Sequence, residues 1–270
     1  MQIIALIIPF RDQKEQDRRS QLRAFEKHMA TFLRTGAGRS RYVIVVVEQS
    51  NDSRAFNRGQ LLNVGFREAQ KQADPQQIAS ACFHDVDLLP SDGLFRFYEQ
   101  PPEAGRPTHI AGPSTWGKYA QGDYSQIFFG GVTALHPADF ERANGYPNDY
   151  WGWGMEDDQL RVRVDAVGAL KRGVLRPPTG AGRYNDIDQV SMLTFMQSRE
   201  TLIANANRFN QKMFDPKFEK RTLDPGWRRA NGLKGLAYEV RSRTENALSA
   251  NVDVLHVAVQ LCCGDADGDD

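Results

Sequence analysis

Cysteine is scarce in this chain: Cys82, Cys262 and Cys263 are all there is in 270 residues. Three are too few for a disulfide framework, and adjacent cysteines rarely bridge each other, so a reducing compartment is expected. Long apolar runs are missing as well. The stretch Met1-Gln2-Ile3-Ile4-Ala5-Leu6-Ile7-Ile8-Pro9 is too short to span a bilayer and has neither a basic region nor a cleavage site. Neither sign of charge is in excess, with Lys plus Arg at 34 and Asp plus Glu at 34. No global field therefore points to nucleic acid or an anionic membrane. The expected setting is the cytoplasm, with action at the inner membrane surface through a partner left open.

What is present is ordinary for a globular protein: 40% hydrophobic and 25% charged residues. The length allows one large α/β domain or two small ones, and the absence of repeats or a clear linker favours one, residues 1–270. Ile3 to Ile8 is a continuous apolar run, the pattern of a central parallel strand. Leu22, Phe25, Met29, Phe32 and Leu33 recur at helical spacing. Tyr42 to Val47 predicts a second strand, and Leu61, Leu62, Val64, Phe66 and Ala69 a second helix. A third strand, about Ala79 to His84, delivers Asp85 and Asp87 at its carboxyl end. Alternation of this kind predicts a mostly parallel sheet flanked by helices, with ligands bound outside the carboxyl strand ends. Pro9-Phe10-Arg11 and Asp85-Val86-Asp87 fall where that rule puts a site.

Residues 99–127 read as a long loop, followed by a strand over Phe128 to Leu135. A short helix over Pro137 to Asn144 comes next, then a helix led by Glu156 and marked by Leu160, Val164 and Val167. Val174 to Arg176 predicts a short strand. Residues 197–235 are polar, irregular or helical, Val252 to Leu261 is a late strand, and residues 262–270 form an acidic tail. The nucleotide-sugar half is assigned to residues 1–135 and the acceptor half to residues 136–261.

The most unusual stretch is Tyr150-Trp151-Gly152-Trp153-Gly154-Met155-Glu156-Asp157-Asp158. Its glycines permit uncommon backbone angles and close approach of another molecule. Its indoles offer flat apolar faces with one N–H each, surfaces that suit sugar rings. Three adjacent carboxylates repel one another unless paired, protonated or held by donors. The bland alternative is an acidic helix start after an aromatic turn. A second acidic cluster upstream, Asp85-Val86-Asp87, tips the balance toward function.

Together the motifs resemble the β-1,4-galactosyltransferase family (glycosyltransferase family 7). The matching stretches are Ile8-Pro9-Phe10-Arg11, Phe56-Asn57-Arg58-Gly59-Gln60-Leu61-Leu62-Asn63, His84-Asp85-Val86-Asp87-Leu88-Leu89-Pro90, Phe129-Gly130-Gly131-Val132, and Asn144-Gly145-Tyr146-Pro147 through Asp158. They occur in family order across residues 3–178. His84 to Pro90, with Ser242-Arg243-Thr244 and Ala247-Leu248-Ser249, is most similar to the xylosylprotein galactosyltransferase branch.

The resemblance implies a GT-A-type, Rossmann-like fold and an inverting transfer of galactose from UDP-galactose to an acceptor sugar hydroxyl. Pro9, Phe10, Arg11, Phe56, Asn57 and Arg58 would hold uridine and phosphates. Asp87 would ligate a divalent cation such as Mn²⁺, which stabilises the departing diphosphate, and Asp85 would bond donor hydroxyls. Asp157 would be the catalytic base, Glu156 and Asp158 would position sugar hydroxyls, and Trp153 would floor both sugars. Phe128, Gly130 and Gly131 would border the donor. Gly152 and Gly154 suggest a flap that closes over the donor, or else a rigid turn.

The chain departs from the family in places. Family members supply further metal ligands from a later segment as Met with His or as two His. None of the five histidines (28, 84, 109, 136 and 256) falls there. Gln189 and Ser191 stand in that region, and Asp186, Asp188, Met192 and Gln197 are the possible substitutes. His84 is near Asp87 in sequence but reads as a packed side chain. Gln13 replaces a common Arg, and Phe128 stands where Tyr accompanies galactose donors. UDP-N-acetylgalactosamine or UDP-glucose as donor, a catalytically silent glycan-binding module, and a metal-dependent phosphoesterase are the alternatives.

Overall fold

A computed structural model of the chain describes residues 2–12, 17–36, 40–72, 77–117, 122, 124–188, 192–213 and 225–262. In order these form β1 (Gln2–Phe10), α1 (Arg18–Phe32), β2 (Ser40–Gln49), α2 (Arg58–Gln72), β3 (Ile78–His84), β4 (Leu88–Pro90) and α3 (Phe95–Glu99). They continue as β5 (Thr108–His109), α4 (Tyr124–Ile127), β6 (Val132–Leu135), α5 (Pro137–Arg142), α6 (Glu156–Ala166) and β7 (Tyr184–Asp186). The chain closes with α7 (Met192–Met213), α8 (Pro225–Ala230), β8 (Tyr238–Ser249) and β9 (Val252–Leu261).

Seven strands make one sheet in the order β5-β6-β3-β1-β2-β9-β8. Its centre, β3-β1-β2-β9, is parallel, as the apolar runs predict, and both flanks are antiparallel. β9 brings the end of the chain beside β2, so the sheet draws strands from both of the halves expected from sequence.

The centre of the sheet explains its own sequence. Side chains alternate across a strand, so a strand buried on both faces is apolar throughout. In β1, Ile4, Leu6, Ile8 and Phe10 pack with Leu22, Phe25, Met29 and Phe32 of α1. Ile3 and Ala5 face the other way, among Leu61 and Val64 of α2. Ile7 joins Leu62 and Phe66 on that same side, with Phe140, Tyr146 and Leu160.

Some elements differ from the sequence reading. The strand expected over Phe128 to Leu135 starts only at Val132, because Gly131 takes φ +75° and turns the chain. The strand expected at Val174 to Arg176 is reduced to a single bridge, Leu175 to Thr108. β8 was not anticipated: Glu239 to Ala247 are solvent-exposed throughout and carry no apolar alternation. A small second sheet pairs β4 with β7, Leu88 opposite Asp186.

Candidate active site

The site is assembled at the start of α2. Asn57 caps that helix, its Oδ1 accepting from Gln60 N at 2.9 Å, while its Nδ2 donates to Asn148 O at 2.7 Å. Asn63 holds the same loop, donating to Tyr146 O at 2.8 Å and accepting from Tyr146 N at 2.9 Å. Between them Gly59 leaves room for close approach: a Cβ there would fall 2.7 Å from Pro147 O and 3.6 Å from the Glu156 Cβ. The loop before α6 is thus pressed onto the first turn of α2, where Arg58 sits.

Arg58 joins the two acidic clusters. Its Nε donates to Asp85 Oδ1 at 2.8 Å, its Nη1 to Asp157 Oδ1 at 2.7 Å, and Glu156 Oε1 lies 3.5 Å from Nη1. Burial works against the charge on Arg58, but Asp157, Asp85, Tyr146 and Glu156 outweigh it and hold its pKa well above the usual value. Burial pushes the carboxyl of Glu156 up, and Asp157 adds to the push. Burial raises Asp85 too, opposed by Arg58 and aided by Asp87 and Asp157. A carboxyl raised in this way is fit to exchange protons or donate a hydrogen bond near neutrality.

All three acids, Glu156, Asp157 and Asp158, occupy the first turn of α6, where the helix dipole favours negative charge. The preceding Met155 adopts a left-handed φ of 75°, which turns the chain from the tryptophan loop into the helix. Oδ2 of Asp157 borders Gly130; a Cβ on that glycine would stand 2.4 Å from the oxygen and 2.9 Å from the Phe128 ring. His109 fixes the glycine, its Nε2 lying 2.9 Å from Gly130 O. Gly131 is equally constrained, since a Cβ would reach the Trp116 ring at 2.9 Å.

The tryptophan loop is held by α7. Asn205 Nδ2 donates to Trp151 O at 3.2 Å and Trp153 O at 3.3 Å, and Trp153 N donates to Thr201 Oγ1 at 3.1 Å. Trp153 keeps 44% of its surface exposed, which suits a sugar platform. Gly152 and Gly154 both have positive φ, and a Cβ on either would strike α7 at Thr201 or Leu202.

The remaining predicted residues are placed variously. Arg11 donates to Arg54 O at 2.7 Å and lies over the Phe56 ring at 5.7 Å, at the mouth of the strand ends. Pro9 is the penultimate residue of β1, beside Val47. Phe10, expected to stack on the nucleotide, is instead 1% exposed within the core on the α1 side, because its register position faces α1. Asn57 is consumed by helix capping, and Arg58 turns to the acids.

His84 is a packed residue, as its sequence position suggested: Nδ1 meets Asp85 O and Nε2 meets the Tyr98 hydroxyl, both at 2.8 Å. Gln13, Gln189 and Ser191, and the side chains of Met192 and Gln197, lie outside the described residues. Sequence reasoning missed the Tyr146 hydroxyl. It is buried, has no hydrogen-bond partner among the described residues, and lies within electrostatic reach of Asp157, Arg58, Glu156 and Asp85.

Asp87 faces Asp188 across Arg18, whose Nη1 is 3.0 Å from Asp87 Oδ2 and Nη2 3.2 Å from Asp188 Oδ2. The pairing of β4 with β7 brings this about, and Ile187 N donates to Asp87 O at 2.9 Å. Of the candidate substitutes whose side chains are described, Asp188 shares Arg18 with Asp87, while Asp186 Oδ2 accepts from Trp116 Nε1 at 3.1 Å. Two carboxylates converging on one cation fit a hard divalent ion as two of its ligands. Among the described residues no group of three His, Cys, Asp or Glu side chains is placed to hold a metal.

The family model described as "N-terminal region of glycosyl transferase group 7" matches residues 1–99, and that described as "N-terminal domain of galactosyltransferase" matches residues 118–190. β-1,4-Galactosyltransferase 7 of Drosophila melanogaster is 36% identical over 96% of this chain and 70% of its own length. β-1,4-Galactosyltransferase 2 of Mus musculus is 34% identical over 94% of this chain, which spans 59% of that relative. A crystal structure of a mutant of the Drosophila enzyme with manganese, UDP-Gal and xylobiose superposes with a TM-score of 0.68 at 32% identity, covering 97% of this chain and 95% of that one.

A parallel-centred sheet that delivers carboxylates at its strand ends, in a chain that superposes on such an enzyme, defines the class: a GT-A-type glycosyltransferase. Within that class, the chain belongs to the β-1,4-galactosyltransferase family, glycosyl transferase group 7.

Proposed function

We propose that this chain transfers galactose from UDP-galactose to a sugar hydroxyl with inversion, forming a β-linkage, and that a β-xyloside is the acceptor to try first. The observation that carries the reading is Arg58, which brings Asp85 and Asp157 onto one guanidinium although 72 positions of sequence separate them. The Drosophila enzyme, crystallised with UDP-Gal and xylobiose, supports the choice of donor and acceptor.

Asp157 takes the acceptor proton on Oδ2, since Oδ1 is engaged by Arg58. Gly130 beside it leaves space for the acceptor hydroxyl to approach. Glu156, whose protonated form burial favours, donates to a sugar hydroxyl, and Asp158 positions the acceptor. Asp85 bonds donor hydroxyls from the opposite side of Arg58. Trp153 offers its exposed face to the sugar rings and excludes water when the loop closes. Phe128 fills the space an N-acetyl group would need, which favours galactose over N-acetylgalactosamine. Phe56 and Arg11 form the nucleotide side.

A divalent cation such as Mn²⁺, held by Asp87 and Asp188, supplies charge neutralisation of the leaving diphosphate when bound. Among the described residues no helix is long and apolar enough to cross a membrane. Free Cys82 and Cys262 support a cytoplasmic setting, and a role in surface polysaccharide synthesis fits it.

The test is product mass spectrometry with UDP-galactose, UDP-glucose and UDP-N-acetylgalactosamine against a panel of simple glycosides. Transfer should be strongest from UDP-galactose. Asp157→Asn should lower turnover by about 10²–10⁴ while donor binding by calorimetry survives. Full turnover in that variant, or donor binding with no transfer by the wild type, would refute the reading.

A further inference from the structure

We infer that Arg18 and a divalent cation are alternative occupants of the Asp87–Asp188 carboxylate pair, so that Arg18 sets the affinity of this chain for metal. The inference deepens the proposed function and rests on its reading of Asp87 as a cation ligand.

Arg18 is the first residue of α1, so its side chain starts from a fixed point of the fold. Its two terminal nitrogens are divided between two elements: Nη1 reaches Asp87, after β3, and Nη2 reaches Asp188, after β7. Gln21 Oε1 accepts from the same Nη1 at 2.7 Å and steadies the guanidinium. All three side chains are largely shielded, with 18%, 17% and 14% of Arg18, Asp87 and Asp188 exposed, so solvent screens the contact only partly.

The backbone on the acid side is fixed too. Ile187 N bonds Asp87 O, and Asp188 N bonds Asp186 Oδ1 at 3.0 Å. The backbones that carry the two carboxylates are therefore held close together independently of Arg18, and like charges brought together need a cation between them. A guanidinium never loses its charge and bonds carboxylates through a planar fork, so it serves as a resident counter-ion. A metal ion that takes the same oxygens has to displace it. Competition of this kind weakens metal binding, while the pair is never left uncompensated when metal is scarce.

The deciding measurement is Mn²⁺ binding to the full chain, read from the electron paramagnetic resonance signal of free Mn²⁺, with and without UDP. Arg18→Gln should bind Mn²⁺ at least tenfold more tightly than wild type, and adding Asp188→Asn should reverse the gain. Arg18→Lys, which keeps the charge but cannot bridge both carboxylates, should fall between, and it decides the matter if the Gln variant does not fold. Equal or weaker binding by the Arg18 variants, with Asp87→Asn abolishing what binding there is, overturns the inference and leaves Asp87 as a ligand. No dependence of Mn²⁺ binding on Asp87 at all overturns both.

Discussion

Asp85 and Asp157 accept hydrogen bonds from the same guanidinium, at 2.8 Å and 2.7 Å, although one directly follows the third strand of the sheet and the other lies in the first turn of a helix far along the chain. Arg58 thus joins two acidic clusters that lie far apart in sequence, in addition to the bonds by which Asn57 and Asn63 hold the 146–148 loop. Removing one partner of a buried ion pair strands the others and costs about 3–5 kcal/mol.

Arg58→Ala should therefore lower Tm by roughly 10 °C and abolish transfer. Arg58→Lys keeps the charge but, as a point donor, does not span both acids; its Tm should lie between. Differential scanning calorimetry decides, and an Ala variant melting within a degree of wild type would remove Arg58 from this role.

Gly130 tests the space beside the base. A Cβ there would lie 2.4 Å from Asp157 Oδ2, and the glycine is not at positive φ, so the added methyl acts by crowding. Gly130→Ala should cost about 1–3 kcal/mol in stability and displace the carboxylate. A displacement of about 1 Å carries a loss of roughly 10² in kcat. Unchanged kcat would show that Oδ2 does not face the reacting hydroxyl.

Asn205 ties the tryptophan loop to α7 through Trp151 O and Trp153 O. Asn205→Ala removes both bonds, at about 0.5–1.5 kcal/mol each. The expected result is a several-fold higher KM for donor and faster proteolysis at residues 151–154. Wild-type KM and protection would mean that the loop holds its shape unaided.

His84 gives a pH signature. Burial pulls its pKa down to about 4, while its bond to Asp85 O works the other way. The unfolded chain protonates this ring near 6.5, so between about 6.5 and 4 the unfolded state binds more protons and stability rises with pH. The stability lead of wild type over His84→Gln is then complete above about pH 6.5 and should shrink by about 2 kcal/mol from pH 7 to pH 5. Urea melts at the two values measure it; a lead that does not move with pH would contradict a buried neutral ring.

The central strands were legible because both faces of each are buried, which leaves an uninterrupted apolar signal from Ile3 to Ile8 and Tyr42 to Val47. β8 was not legible. It earns its place by backbone hydrogen bonds to β9, and exposed side chains carry no trace of that. Phe10 shows the opposite failure: its motif suggested a ligand contact, but the alternation of β1 turns it to the core.

By itself, the sequence determined the family, through five stretches in family order from Ile8-Pro9-Phe10-Arg11 to Asn144 through Asp158, and with it the class of chemistry that the resemblance implies. It also determined the parallel centre of the sheet, through continuous apolar runs that alternate with helical patterns along the chain. Only the tertiary structure decided that Asp188 shares Arg18 with Asp87, where Arg58 points, and that Tyr146 lies within electrostatic reach of the acids. These are relations between residues distant in sequence, fixed by how α2, α6 and the β4–β7 pair pack, and no local pattern encodes them.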